Sequence, residues 1–148
     1  MNKHARPAAT YESDVHQWAI EQAAHLRAGR FESLDLENIA AEIDSVGRSE
    51  KREIESRLEV LLVHLLNWQF QPEKRKGGWL ATINEQRRRL ARVLAENPSL
   101  YNYPAQELLG AYKVARAKTE KETDLAFETF PETCPFTIAQ IMDETFPA

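Results

Sequence analysis

Six residues could do chemistry from within apolar surroundings: Glu42, Arg57, His64, Gln86, Tyr112 and Glu122. At about 100° per residue, positions three, four and seven apart share a helix face. By that spacing Gln86 falls among Trp79, Ile83, Leu90 and Val93, and His64 falls beside Leu61 and Trp68. Arg57 lies two turns before His64 on the same flank, and Glu42 borders Ile39 and Ile43. Glu122 continues the face of Leu108, Ala115 and Thr119, with Tyr112 on the same segment, and Gln22 sits among Trp18, Ala19 and Leu26. A buried amide or charge without a partner costs roughly 1–3 kcal/mol or more, so such groups must bond one another or reach water. One reading is a shared polar pocket, with Glu42, His64 and Glu122 around a metal or a substrate and Gln86 orienting them. The other is a structural network that fixes helix register, and it needs fewer coincidences. The chain has no Glu-x-x-His, no His-Glu-x-x-His, no Cys-x-x-Cys, no phosphate loop and no Gly-x-Ser-x-Gly, so no motif asks for a cofactor or a catalytic metal.

The second chemical feature is a concentration of positive charge. From Pro72 to Asn97 the cations are Lys74, Arg75, Lys76, Arg87, Arg88, Arg89 and Arg92, against Glu73, Glu85 and Glu96. This stretch carries +4 in a chain of net −4, which leaves −8 for the remainder. A basic turn and helix could meet phosphates. Arg87, Arg88 and Arg89 are consecutive, however, and point three ways from a helix. The plainer reading is a solvated face that pairs with the acidic segment beginning at Glu120. Trp18, Trp68 and Trp79 recur on apolar faces and read first as core residues. The single cysteine, Cys134, stands between Pro131 and Pro135. It excludes an internal disulfide and reads as a small packed side chain in a reducing compartment.

The elements that must position these groups are all helical. No alternation of strand type and no Asn-Gly or Asp-Gly hairpin occurs in the 148 residues. A first helix is expected from Asp14 to Ala28, capped by Ser13 and stopped by Gly29, with Val15, Trp18, Ala19, Gln22 and Leu26 inward. A second follows the N-cap Asp35 and turns Leu36, Ile39, Ala40, Ile43 and Val46 inward, with Gly47 ending or bending it. A third runs from Ser49 to Phe70, closed by Pro72. A fourth spans Gly78 to Asn97, and a fifth opens at Pro104 and reaches Thr123. Thr137 to Gln140 reads as a capping box for a short last helix. Hydrophobic stripes on helices need other helices as partners, so the expected fold is all-α, one compact bundle of five to six helices over residues 11–148, preceded by a loose arm over residues 1–10. No apolar run is long enough to span a bilayer, and the N-terminus lacks the apolar stretch of a signal peptide; a cytoplasmic protein without membrane contact is expected.

The segments Glu37-Asn38-Ile39-Ala40-Ala41-Glu42-Ile43, Arg57-Leu58 with Val63 to Pro72, and Gly78-Trp79-Leu80-Ala81-Thr82-Ile83-Asn84-Glu85-Gln86-Arg87 resemble a bacterial family, the domain of unknown function 29. The likeness continues through Asn97-Pro98-Ser99-Leu100, Tyr112 to Arg116, Glu122-Thr123 and Phe130 to Pro135, and so covers the chain from Tyr11 onward. The chain departs from it at Ala41 and Asn67, where the family often carries Glu and Lys. The resemblance implies an all-helical fold and a bacterial, cytoplasmic source; it implies no activity. Function is therefore expected from the residues alone: a non-catalytic binding module that contacts nucleic acid or a protein partner through Lys74–Arg92. The alternative is a small metal-assisted hydrolase built on Glu42, His64 and Glu122.

Overall fold

The computed structural model describes residues 7–147. Among the described residues are five α-helices: α1 (Val15–Arg27), α2 (Leu36–Phe70), α3 (Gly77–Glu96), α4 (Tyr103–Glu122) and α5 (Ile138–Met142), joined by short 3-10 turns. No strand occurs among the described residues, and the fold class is all-α. The proposed arm falls partly outside them, since residues 1–6 are not described; Ala9 N–H donates to Glu21 Oε2 at 3.2 Å. The chain divides into two compact units, Met1–Arg48 and Ser49–Ala148.

The first unit pairs α1 with the opening turns of α2. Asp14, not Ser13, caps α1: its carboxylate accepts from Gln17 N–H at 3.0 Å. Ser13 is taken up by Thr10, whose hydroxyl donates to its Oγ at 2.8 Å. Gly29, at φ +71°, ends the helix in the left-handed conformation that favours glycine. Asp35 caps α2 and accepts from Trp18 Nε1 at 3.0 Å and from Asn38 Nδ2 at 2.8 Å, and these donors hold its carboxyl below the usual range. Gln22 is used here too, its Oε1 accepting from Asp35 N–H at 2.8 Å. Among the described hydrophobic residues of this unit only Trp18 is buried; Val15, Leu26, Leu36, Ile43 and Val46, all expected inside, are between 49 and 68% exposed. The reason is numerical. Two helices touching along one edge cannot enclose apolar arcs this wide.

The sequence suggested two helices around Gly47, and the structure has one, unbroken for 35 residues. Glycine in a helix interior costs only about 1 kcal/mol against alanine, and neighbouring helix formers outweigh it.

The second unit holds the main core. Leu58, Leu61, Leu62, Leu65 and Leu66 of α2 pack with Ile83 of α3, Ala111, Tyr112 and Ala115 of α4, and Phe130, Phe136 and Ile141 beyond. A smaller cluster joins Ile54, Leu90 and Val93. The last helix begins as expected: Thr137 Oγ1 accepts from Gln140 N–H, and Gln140 Oε1 accepts from Thr137 N–H, a reciprocal capping box. No described helix is long and apolar enough to cross a membrane.

Candidate anion-binding cleft

Pro72 stops α2, and the chain turns through Glu73, Lys74, Arg75 and Lys76 before α3 starts at Gly77. A cleft of about 590 Å³ opens here, lined by Asn67, Gln71, Glu73, Lys74, Arg75, Lys76, Trp79 and Glu122. Its floor is an amide pair, both buried: Gln71 Nε2 donates to Asn67 Oδ1 at 2.9 Å. Arg75 is fixed over Trp68, with its guanidinium carbon 4.8 Å from the ring centroid and its Nε donating to the Trp68 carbonyl at 2.8 Å. This is the stacking and bonding that a planar guanidinium permits and an ammonium does not. Lys74 and Lys76 remain exposed.

The start of α3 adds a second source of positive potential. Lys76 holds the N-cap position in extended conformation but supplies no capping hydrogen bond, and no acidic residue lies in the first turn. Around Gly77 and Gly78 a side-chain carbon would meet nothing within 4 Å. The Trp79 N–H already bonds the Lys76 carbonyl at 3.1 Å, which leaves the N–H groups of Gly77 and Gly78 and the positive end of the helix dipole to favour an anion. Two carboxylates, Glu73 and Glu122, share the cleft, so its character is mixed and cationic by a single charge.

Three of the four remaining basic residues, Arg87, Arg89 and Arg92, are otherwise engaged. Arg87 is 2% exposed, and its guanidinium donates to the carbonyls of Ile141 at 2.6 Å and Gln140 at 3.2 Å. Burial pulls its pKa down, against the opposing influence of Asp143 and Glu144. Arg89 binds Glu85 at 2.8 Å and Arg92 binds Glu96 at 3.0 Å, each one turn along α3. For Arg89 and Arg92, pairing within the helix replaces the pairing with the acidic C-terminal segment, whereas Arg87 does lie near Asp143 and Glu144 of that segment. Arg88 is exposed.

The interior polar residues of the second unit have separate partners. Gln86 is buried, and Arg57 Nη1 donates to its Oε1 at 3.4 Å. Arg57 also approaches Glu53 at 3.7 Å, while its Nε is buried without a partner. Arg57 lines a separate cleft of about 480 Å³ with Glu50, Glu53, Arg89, Arg92, Val93 and Glu96, in which the charges balance. His64 is half-buried, with Nδ1 2.8 Å from the Val60 carbonyl one turn back, an arrangement in which Nδ1 carries the proton. Tyr112 is fully buried and its hydroxyl donates to the Pro131 carbonyl. Glu42 belongs to the first unit and accepts from the Tyr11 hydroxyl. Glu122 does not continue the buried face of Thr119. It is exposed at the end of α4, on the wall of the basic cleft. Among the described residues no three His, Cys, Asp or Glu side chains come together in a way that could hold a metal ion.

In the sequence Asn67 stands out only as a departure from the family pattern and Gly78 only as a helix start, and Gln71 carries no signal of its own. The signal was there in part: Pro72, a Lys-Arg-Lys run and Gly77-Gly78 without Ser, Thr, Asp or Asn at the cap position. Cys134 is half-buried and its Sγ lies 3.4 Å from the Phe136 carbonyl, with burial raising the thiol pKa.

No match was found among curated proteins or among solved structures. A family model does match, over residues 10–147, and by that match the chain belongs to the family described as "Domain of unknown function DUF29".

Proposed function

We propose that this chain is a binding module that takes a single-stranded nucleic acid at the turn between α2 and α3. The observation that carries this reading is the uncapped start of α3 ringed by Lys74, Arg75 and Lys76, with Trp79 on the same cleft. A phosphate suits the free N–H groups and the two exposed lysines. An indole face suits an unstacked base, and the amides of Asn67 and Gln71 suit hydrogen bonds to base edges. The basic region thereby narrows from Lys74–Arg92 to Lys74–Trp79, because Arg87, Arg89 and Arg92 already have partners within the protein. With Glu73 and Glu122 close by, the attraction is modest and local. The lone thiol suits a reducing compartment, and we place the activity in the cytoplasm.

Fluorescence anisotropy of a labelled oligothymidylate, titrated at several salt concentrations, tests the reading. Two or three phosphate contacts predict a slope of log affinity against log salt of about −1.4 to −2. Lys74→Glu with Lys76→Glu lowers affinity at least tenfold, whereas Arg88→Glu, outside the cleft, changes it little. Affinity that ignores salt, or that survives the paired charge reversal, overturns the proposal. No binding at all hands the basic turn to a protein partner.

A further inference from the structure

The first unit leaves an apolar face uncovered. A groove of about 310 Å³ runs between its helices, lined by Trp18, Ala19, Gln22, Ala23, Leu26, Ile39, Glu42, Ile43 and Val46. On α2, Leu36, Ile39, Ala40, Ile43 and Val46 fall within about 120° of arc. The bonds that join the two helices use a neighbouring edge: Tyr11 to Glu42, Trp18 to Asp35, and the Asp35 N–H to Gln22. The apolar arc begins beside this polar seam, whose Trp18, Gln22 and Glu42 also line the groove. Leu36, Ile43 and Val46 are 65 to 68% exposed.

We propose that a second copy of this chain covers the face, so that two helical hairpins form a four-helix bundle about a two-fold axis. The spacing of Leu36, Ile39, Ile43 and Val46 follows the three-four rhythm of a bundle seam, and Val15, Ala19, Gln22 and Leu26 repeat it on α1. A two-fold copy presents an identical face of identical length and satisfies both at once. Glu42, the only charged group lining the groove, accepts from the neutral Tyr11 hydroxyl and keeps its negative charge, so pairing costs part of that carboxylate's hydration. Area sets the expected strength. Helices of about 20 Å length, spaced about 10 Å apart, offer a face of roughly 400 Å² in projection. Pairing two such ridged faces removes on the order of 1,000 Å² from water, at the low end for a specific interface. An interface this small suits a pair that dissociates on dilution. Residues 7–48 carry eight carboxylates and three arginines, so the two copies repel; added salt screens that repulsion and tightens the pair.

Sedimentation equilibrium of the full chain over a range of micromolar concentrations tests this. The expected result is a monomer–dimer equilibrium that strengthens with salt. Ile43→Asp with Val46→Asp yields monomer at every concentration, and Leu109→Asp, on an exposed position of α4, leaves the equilibrium unchanged. Ile43→Ala with Val46→Ala guards against a trivial loss of fold, because alanine is the better helix former. It weakens association at least tenfold while circular dichroism keeps the wild-type helix signal. A wild-type chain that stays monomeric overturns the proposal and leaves the groove to a helix of another protein. A dimer that tolerates the substitutions at Ile43 and Val46 overturns it as well.

Discussion

The guanidinium of Arg87 and the backbone carbonyl of Ile141 are 54 residues apart in sequence and 2.6 Å apart in space. The same guanidinium reaches the Gln140 carbonyl at 3.2 Å and Asn84 Oδ1 at 3.3 Å. Helix α5 has only five residues, too few to be stable by itself. Its final carbonyls have no acceptor role inside the helix, and a buried cation is a fitting donor at the negative end of a helix dipole. A residue whose sequence context suggests phosphate contact is thus the clasp that holds the C-terminal segment to α3.

Arg87→Met should therefore destabilise the fold by about 3 kcal/mol, since charge-assisted bonds are lost and the Ile141 carbonyl is left without its donor, while the Gln140 carbonyl keeps the Asp143 N–H. Arg87→Lys keeps the charge but cannot bridge both carbonyls, and should recover less than half of the loss. Urea denaturation measures both. A methionine variant within about 0.5 kcal/mol of wild type, the range of an ordinary surface change, would show that α5 is anchored by its apolar contacts alone.

Gln86 offers a second test of stability. Its side chain is buried on α3 and accepts from Arg57 across from α2. Gln86→Ala should cost about 1–3 kcal/mol by leaving a guanidinium donor unpaired. Arg57→Met on the Gln86→Ala background should cost less than Arg57→Met alone, and the difference measures the pair. Independent, additive losses would mean that the 3.4 Å contact carries no coupling.

Much of the fold was legible because helices announce themselves by period and by their ends. Asp35, Pro72, Pro104 and the Thr137–Gln140 box are local signals, and each marks the end it suggested. What periodicity could not supply is the identity of the covering partner. Ile43 and Leu58 look alike as stripe residues, yet one is 66% exposed and the other fully buried. The difference depends on how many other helices surround each one. The candidate cleft was legible as charge but not as shape: Lys74, Arg75 and Lys76 could be read from the sequence. That Arg87 points into the core, and that Glu122 turns outward one helical turn after buried Thr119, required the structure.

Tyrosine ionisation provides a test independent of stability. The Tyr103 hydroxyl donates to the Glu55 carboxylate, and that bond, with desolvation and the negative charges of Glu55 and Glu107, pushes its pKa up to about 12. The folded protein thus holds this proton more tightly than the unfolded chain, whose tyrosines titrate near 10. The resulting stabilisation is complete below about pH 10 and is lost as pH rises through about 12. In an ultraviolet titration Tyr103→Phe should remove a late-ionising step, and Glu55→Gln should move that step to lower pH. An unchanged titration curve in the Glu55→Gln protein would contradict the assignment.

The uncapped start of α3 makes stability and binding trade against each other at one residue. Lys76 occupies the N-cap position with φ −129° and ψ 147° but forms no side-chain cap. That extended conformation is the one in which aspartate caps a helix, accepting from the N–H groups two or three residues on. Lys76→Asp should therefore raise stability by about 0.5–1 kcal/mol, through the new cap and through a negative charge at the positive end of the dipole. The same carboxylate would occupy the N–H groups proposed to meet a phosphate and would repel it, so affinity for oligothymidylate should fall by more than tenfold. Lys76→Ser, a neutral cap, should share the gain in stability and show a smaller loss of binding. Urea melts and anisotropy titrations on the three proteins test both halves. A Lys76→Asp protein that is stabilised and yet binds as wild type does would separate the helix start from ligand recognition and move the binding site elsewhere.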